Sequence, residues 1–166
     1  MRHVLVALLT TVLMAGAAAG SASAHPEDRP VPPQLRVPDG NQMIASMSAR
    51  GVQTYQCANN VWTFVQPDAI LEYRGLPQVL HSRGPVWTSV LDGSSVTGTA
   101  IANSPVTGTI PELLLKSTGN RGPGLLAKVT YVQRLATRGG AAPAGSCEEG
   151  TTTSVPYTAN YLFWAP

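Results

Sequence analysis

Lysine is almost missing from this chain: Lys116 and Lys128 are the two it has, among eleven basic residues set against nine acidic ones in 166 positions. Nucleic acids and anionic membranes are held by clustered Lys and Arg, and nothing here clusters, so neither is an expected partner. Long apolar runs are scarce as well. Residues 4–20 are uncharged but rich in Ala and Gly, short of the about 20 strongly apolar residues that a membrane span takes. Cysteine is limited to Cys57 and Cys147, which lack the paired spacing of a zinc site. No G-x-S-x-G stretch marks a nucleophile elbow, and no unit repeats at a fixed period.

What is present begins with an export signal. Arg2 and His3 precede the apolar run, and Ala22-Ser23-Ala24 supplies the small residues of a cleavage site. Residues 1–24 therefore read as a signal peptide, and the rest as a secreted, extracellular or periplasmic protein with no membrane insertion after cleavage. In an oxidising compartment an even pair of cysteines most simply forms a disulfide, here Cys57 to Cys147. Closing so long a loop is worth about 4–5 kcal/mol in the chain-entropy model.

Residues 25–40 carry five prolines between His25 and Pro38, too many for a helix or a central strand, and read as an extended Pro-rich arm. Residues 41–166 have the size and texture of a single β domain. Short runs of β-branched and aromatic residues alternate with polar ones and are punctuated by Gly, Pro and Asn. The clearest hairpin joins 52–57 to 61–66 across Ala58-Asn59-Asn60. Further strands are expected at 70–73, 79–82, 86–91, 95–101 and 157–164, with the longest at 125–137. Thr109-Ile110-Pro111-Glu112 has capping-box spacing ahead of three leucines and Gly119, which predicts a short helix over 111–117. Gly139 to Gly145 reads as a loop. About nine strands make the expected fold all-β: a single-domain antiparallel β-sandwich or distorted β-barrel with at most one or two short helices.

The stretch HSRGPVWTSVLDGS, residues 81–94, concentrates chemistry-bearing side chains. An enzyme would use His81 as general acid or base, Asp92 as its orienting carboxylate and Arg83 as an anion clamp, but no serine nearby is singled out as nucleophile. A glycoside hydrolase would instead draw two carboxylates from Asp68, Glu72, Asp92, Glu112, Glu148 and Glu149. A binding protein would present His81, Arg83 and Trp87 as a rim of polar and aromatic groups suited to a sugar or other small ligand. The plainest reading makes Gly84-Pro85 and Asp92-Gly93-Ser94 turns, with Trp87 in the core. Cleavage after Ala24 would also expose the amine and imidazole of His25, a copper-chelating pair to which His81 could add a third nitrogen, a feature shared with the histidine brace of lytic polysaccharide monooxygenases. Otherwise no metal or cofactor is expected. Tyr55, Trp62, Phe64, Tyr131, Tyr157, Tyr161 and Phe163 are expected in the core or around a cavity, and Arg134 as a surface charge ahead of a ligand clamp.

Several spaced motifs resemble those of a secreted family, the domain of unknown function numbered 3455. They are GVQTYQC, HSRGPVW followed by DGS, a leucine triplet ahead of RGPGLLAKVTYVQRLATRGGAAP, the second cysteine and VPYTANYLFW. The resemblance implies a secreted, mostly β domain and carries no activity with it. The chain departs from the family pattern at Glu112, where a tryptophan often stands. Some relatives carry a dehydrogenase label, and Gly122-Pro123-Gly124-Leu125-Leu126-Ala127 spells G-x-G-x-x-A. A dinucleotide site needs that turn between a strand and a helix, whereas Pro123 removes one N–H and a strand pattern follows. The expectation is non-catalytic binding of a small molecule, glycan or surface partner, with a hydrolase or a structural envelope component as alternatives.

Overall fold

A computed structural model describes residues 30–166; the expected signal peptide and His25 lie outside them. The strands run in chain order as β1 (Gln42–Ala58), β2 (Val61–Tyr73), β3 (Leu76–Ser82), β4 (Val86–Ser89), β5 (Ser95–Ser104), β6 (Glu112–Arg121), β7 (Tyr131–Gly139) and β8 (Thr152–Ala165). Each pairs antiparallel with the next, and β8 returns to pair with β1, closing one sheet into a barrel. Of the two expected architectures, the distorted barrel is the one found. Register shifts at Thr54/Tyr55, Leu71/Glu72, Ala100/Ala102 and Leu135/Arg138 make it irregular. Closure leaves no sheet edge unpaired, and eight strands enclose a space that side chains fill or share with one small ligand.

Local chemistry explains the tight hairpins. Asn59 and Asn60 adopt φ of 54° and 61°, and Arg74 and Gly75 adopt 52° and 77°, the positive pair that matches strand twist in a two-residue turn. Along β8, Tyr157, Ala159, Tyr161, Phe163 and Ala165 are buried and point inward, while Thr158 and the other alternate positions point outward. Leu71, Val79, Val96, Val132 and Phe163 pack the lower half of the interior. Residues 122–130 close that end. Leu126 and Val129 insert into the same core, while Leu125 N and Leu126 N donate to Asp92 Oδ2 (2.9 Å) and Ser94 Oγ (3.0 Å) on the β4–β5 connection.

Three expected elements are different in the fold. The helix over 111–117 is instead part of β6, with Leu113 and Leu115 on the inner side and Leu114 on the outer. A continuous leucine run suits a strand covered on both faces, and the Pro-rich arm supplies the outer cover. Its single 3-10 turn, Pro33–Leu35, buries Leu35 completely, and Gln133 Nε2 donates to Leu35 O at 2.6 Å. Thr109, expected to cap the helix, donates its hydroxyl to Gly139 O. The expected strand 125–137 begins only at Tyr131, because 122–130 is the plug; the longest strand is β1, with 17 residues. Residues 70–73 belong to β2, and with β6 in place of the expected helix the described residues form eight strands.

Candidate functional site

The β3–β4 turn, Arg83-Gly84-Pro85, relies on Gly84 at φ 126°. It sets His81 directly opposite Trp87 in the antiparallel register. Both point inward, 4% and 1% exposed, and their rings stack at 4.5 Å with 2° between planes. Tyr161 of β8 meets the pair edge-on at 5.3 and 5.9 Å. His81 Nδ1 lies 3.0 Å from Val86 O. A carbonyl only accepts, so Nδ1 carries the hydrogen and Nε2 keeps its lone pair. Burial lowers the imidazole pKa to about 4; the Val86 carbonyl opposes this, Arg134 adds to it, and Asp68 opposes it. His81 is therefore neutral at neutral pH.

Arg134 faces Tyr161 across the β7–β8 register. It is 9% exposed, which corrects the expected surface position. Val132 and Arg134 face the interior while the arm covers Gln133 outside, so this part of β7 is buried on both sides. Arg134 donates Nε and Nη2 to Pro111 O at 3.2 and 2.9 Å. The Tyr157 and Tyr161 hydroxyls lie 3.3 Å apart, and Tyr55 donates its hydroxyl to Gly140 O at 2.6 Å. Burial raises the pKa of all three phenols, with Arg134 pulling the other way, so they stay protonated.

These side chains surround a cavity of about 600 Å³ at the barrel end opposite the 122–130 plug. His81, Trp87, Tyr161, Arg134, Gln53 and Tyr55 form its inner wall, and Phe64, Val65, Pro85, Ile110 and Leu113 give it a mainly apolar outer wall. The indole nitrogen of Trp87 is buried without an acceptor.

Residues 72–165 match the family described as a protein of unknown function (DUF3455), 94 of the chain's 166 residues. The chain belongs to DUF3455. No curated protein and no solved structure matches it. The part matched to DUF3455 holds β3 to β8 and with them His81, Trp87, Arg134 and Tyr161. β1, with Gln53 and Tyr55 and the GVQTYQC motif, lies outside the match, although the barrel closes through it.

In this DUF3455 chain His81, Arg83 and Trp87 do line one cavity, but Trp87 is its buried wall and not an exposed rim. Asp92 is elsewhere. Its carboxylate accepts from Ser94 N and Oγ and from Leu125 N. Led by the Ser94 hydroxyl, these bonds lower its pKa to about 2. Gly124 approaches so closely that a Cβ there would lie 2.4 Å from Asp92 Oδ2, which accounts for the G-x-G-x-x-A letters without a nucleotide. Glu112 is buried, accepts from Ala136 N and lies outside the cavity wall. Phe64, expected in the core or around a cavity, is half exposed and lines the cavity. Among the described residues, no three His, Cys, Asp or Glu side chains are grouped to hold a metal. Cys57 and Cys147 form the expected disulfide. Tyr161 was expected in the core or around a cavity and lines it; Arg134 was placed at the surface ahead of a ligand-clamp role, and Gln53 was not singled out at all. Their shared inward parity was the available signal, but period two alone does not say which face is inside.

Proposed function

We propose that this DUF3455 protein is an exported, non-catalytic binding protein that takes a small, largely apolar molecule into the open end of its barrel. The carrying observation is the cavity itself: a closed eight-stranded barrel, plugged at one end by 122–130, with about 600 Å³ at the other walled by His81, Trp87 and Tyr161. That volume falls in the range of small-molecule sites, and the mainly apolar wall with a few convergent polar groups is their usual make-up. Export is supported by the signal-like residues 1–24 and by a disulfide, which persists in oxidising compartments. No helix among the described residues is long and apolar enough to cross a membrane.

A hydrolytic reading has one observation in its favour, the lone pair of neutral His81 Nε2. Against it, the cavity wall carries no serine, cysteine or carboxylate among the described residues, and Asp92 is engaged by the plug.

The test is a thermal-shift screen of the purified protein against small aromatic and aliphatic compounds, sugars and metal ions. A ligand that binds the folded state at about 100 times its Kd stabilises it by about 2.7 kcal/mol. Ring-bearing or aliphatic compounds are expected to raise the midpoint, and a Leu113→Trp substitution, which fills the cavity, is expected to abolish the rise. A midpoint unmoved by every compound class would overturn the proposal.

A further inference from the structure

We propose that the occupant is an organic carboxylate, whose charged end pairs with Arg134 and whose apolar body lies along the outer wall of the cavity; this rests on reading the cavity as a binding site. Arg134 is a cation held inside a barrel. A buried charge is normally kept with an anion beside it, because desolvation is otherwise uncompensated. Here no Asp or Glu among the described residues lines the cavity. The partner of Arg134 Nε and Nη2 is a backbone carbonyl, Pro111 O, which orients the guanidinium and supplies no charge.

That bond occupies one edge of the planar fork. The guanidinium also donates to the Tyr161 hydroxyl, a neutral partner, and its bond to a carbonyl or carboxylate among the described residues is the one to Pro111 O. Two parallel N–H donors match the two oxygens of a carboxylate. His81 is neutral, so among the described residues Arg134 is the single charge on the inner wall, and one carboxylate balances it. Arg83 stands farther out beside the turn and is exposed. The remaining wall, from Phe64, Val65, Pro85 and Leu113, asks for carbon.

The experiment measures affinities of the purified protein at neutral pH for matched pairs: naphthoate against naphthamide, and decanoate against decanamide. Each pair shares its apolar body and differs in charge. The acid is expected to bind about tenfold tighter or more, the scale of a charge-assisted bidentate bond. In Arg134→Met the preference for acid over amide is expected to vanish; Arg134→Lys, which keeps the charge without the fork, is expected to retain part of it. The acid-to-amide comparison in the unsubstituted protein stands even if a variant fails to fold. Equal binding of acid and amide would overturn the carboxylate inference and leave the cavity reading intact. No binding by any of the four, together with a flat thermal-shift screen, would overturn both.

Discussion

A proton has no favourable place on His81. Its ring lies flat on Trp87, its Nδ1 hydrogen is committed to Val86 O, and burial first, then the Arg134 charge, holds its pKa near 4. An unfolded chain carries the same imidazole near its ordinary 6.5. Above about pH 6.5 both states are neutral and the residue leaves stability unchanged. As pH falls from there towards 4, the unfolded chain takes up a proton that the folded one does not, so folding weakens and then levels off. The loss is about 3 kcal/mol, an order of magnitude set by the distance between the two values. Urea midpoints at neutral and acid pH should show it, and His81→Gln should flatten that part of the profile. Asp92 acts at lower pH and with the opposite ionisation. Its carboxylate, lowered by the Ser94 hydroxyl and then the Leu125 and Ser94 amides, contributes stability at neutral pH. That contribution is lost as pH drops from the usual carboxylate range through about 2, and Asp92→Asn should remove this acid step.

Elements here are shaped as much by close approach as by hydrogen-bond ladders. β1 and β2 come so near at Gly51 that a Cβ would lie 2.1 Å from Asp68 O and 2.5 Å from Ala69 Cα, both backbone atoms that cannot swing away. Gly51→Ala should therefore destabilise by about 1–3 kcal/mol, the cost of overpacking, and chemical denaturation will measure it. Leu35, fully buried outside the barrel, makes the proline-rich arm part of the fold; Leu35→Ala should cost about 2–4 kcal/mol. This arm also explains where sequence reading stopped. The Asn59-Asn60 turn was legible because asparagine tolerates positive φ, and β8 because its aromatics alternate. β6 was misread because Leu113, Leu114 and Leu115 are all apolar, and alternation disappears when a strand is covered on both sides. The same double cover hid Arg134, whose strand neighbours Val132 and Gln133 are also buried.

At the scale of the whole molecule, closure depends on contacts distant in sequence. β1 pairs with β8 along nearly its whole length, and the Cys57–Cys147 disulfide ties that seam to the β7–β8 connection. Around it Cys57 N donates to Thr151 O, Gly150 N to Cys57 O and Asn59 N to Glu149 Oε2. Replacing both cysteines by alanine should lower stability by about 4–5 kcal/mol at most, the loop-closure value. It should also speed proteolysis within 140–150, where local opening then comes first. All-β character and the disulfide were legible from composition and cysteine count, whereas barrel closure was not, since nothing local says that the first strand meets the last. The stopper at 122–130 has a kinetic consequence. With one end sealed, a guest of the proposed kind would enter beside the turns at 83–85 and 110–111, which line the cavity, and would depart by retracing its arrival. How long it stays is then governed by those turns, and tightening or loosening them would change residence time while the walls of the chamber remain the same.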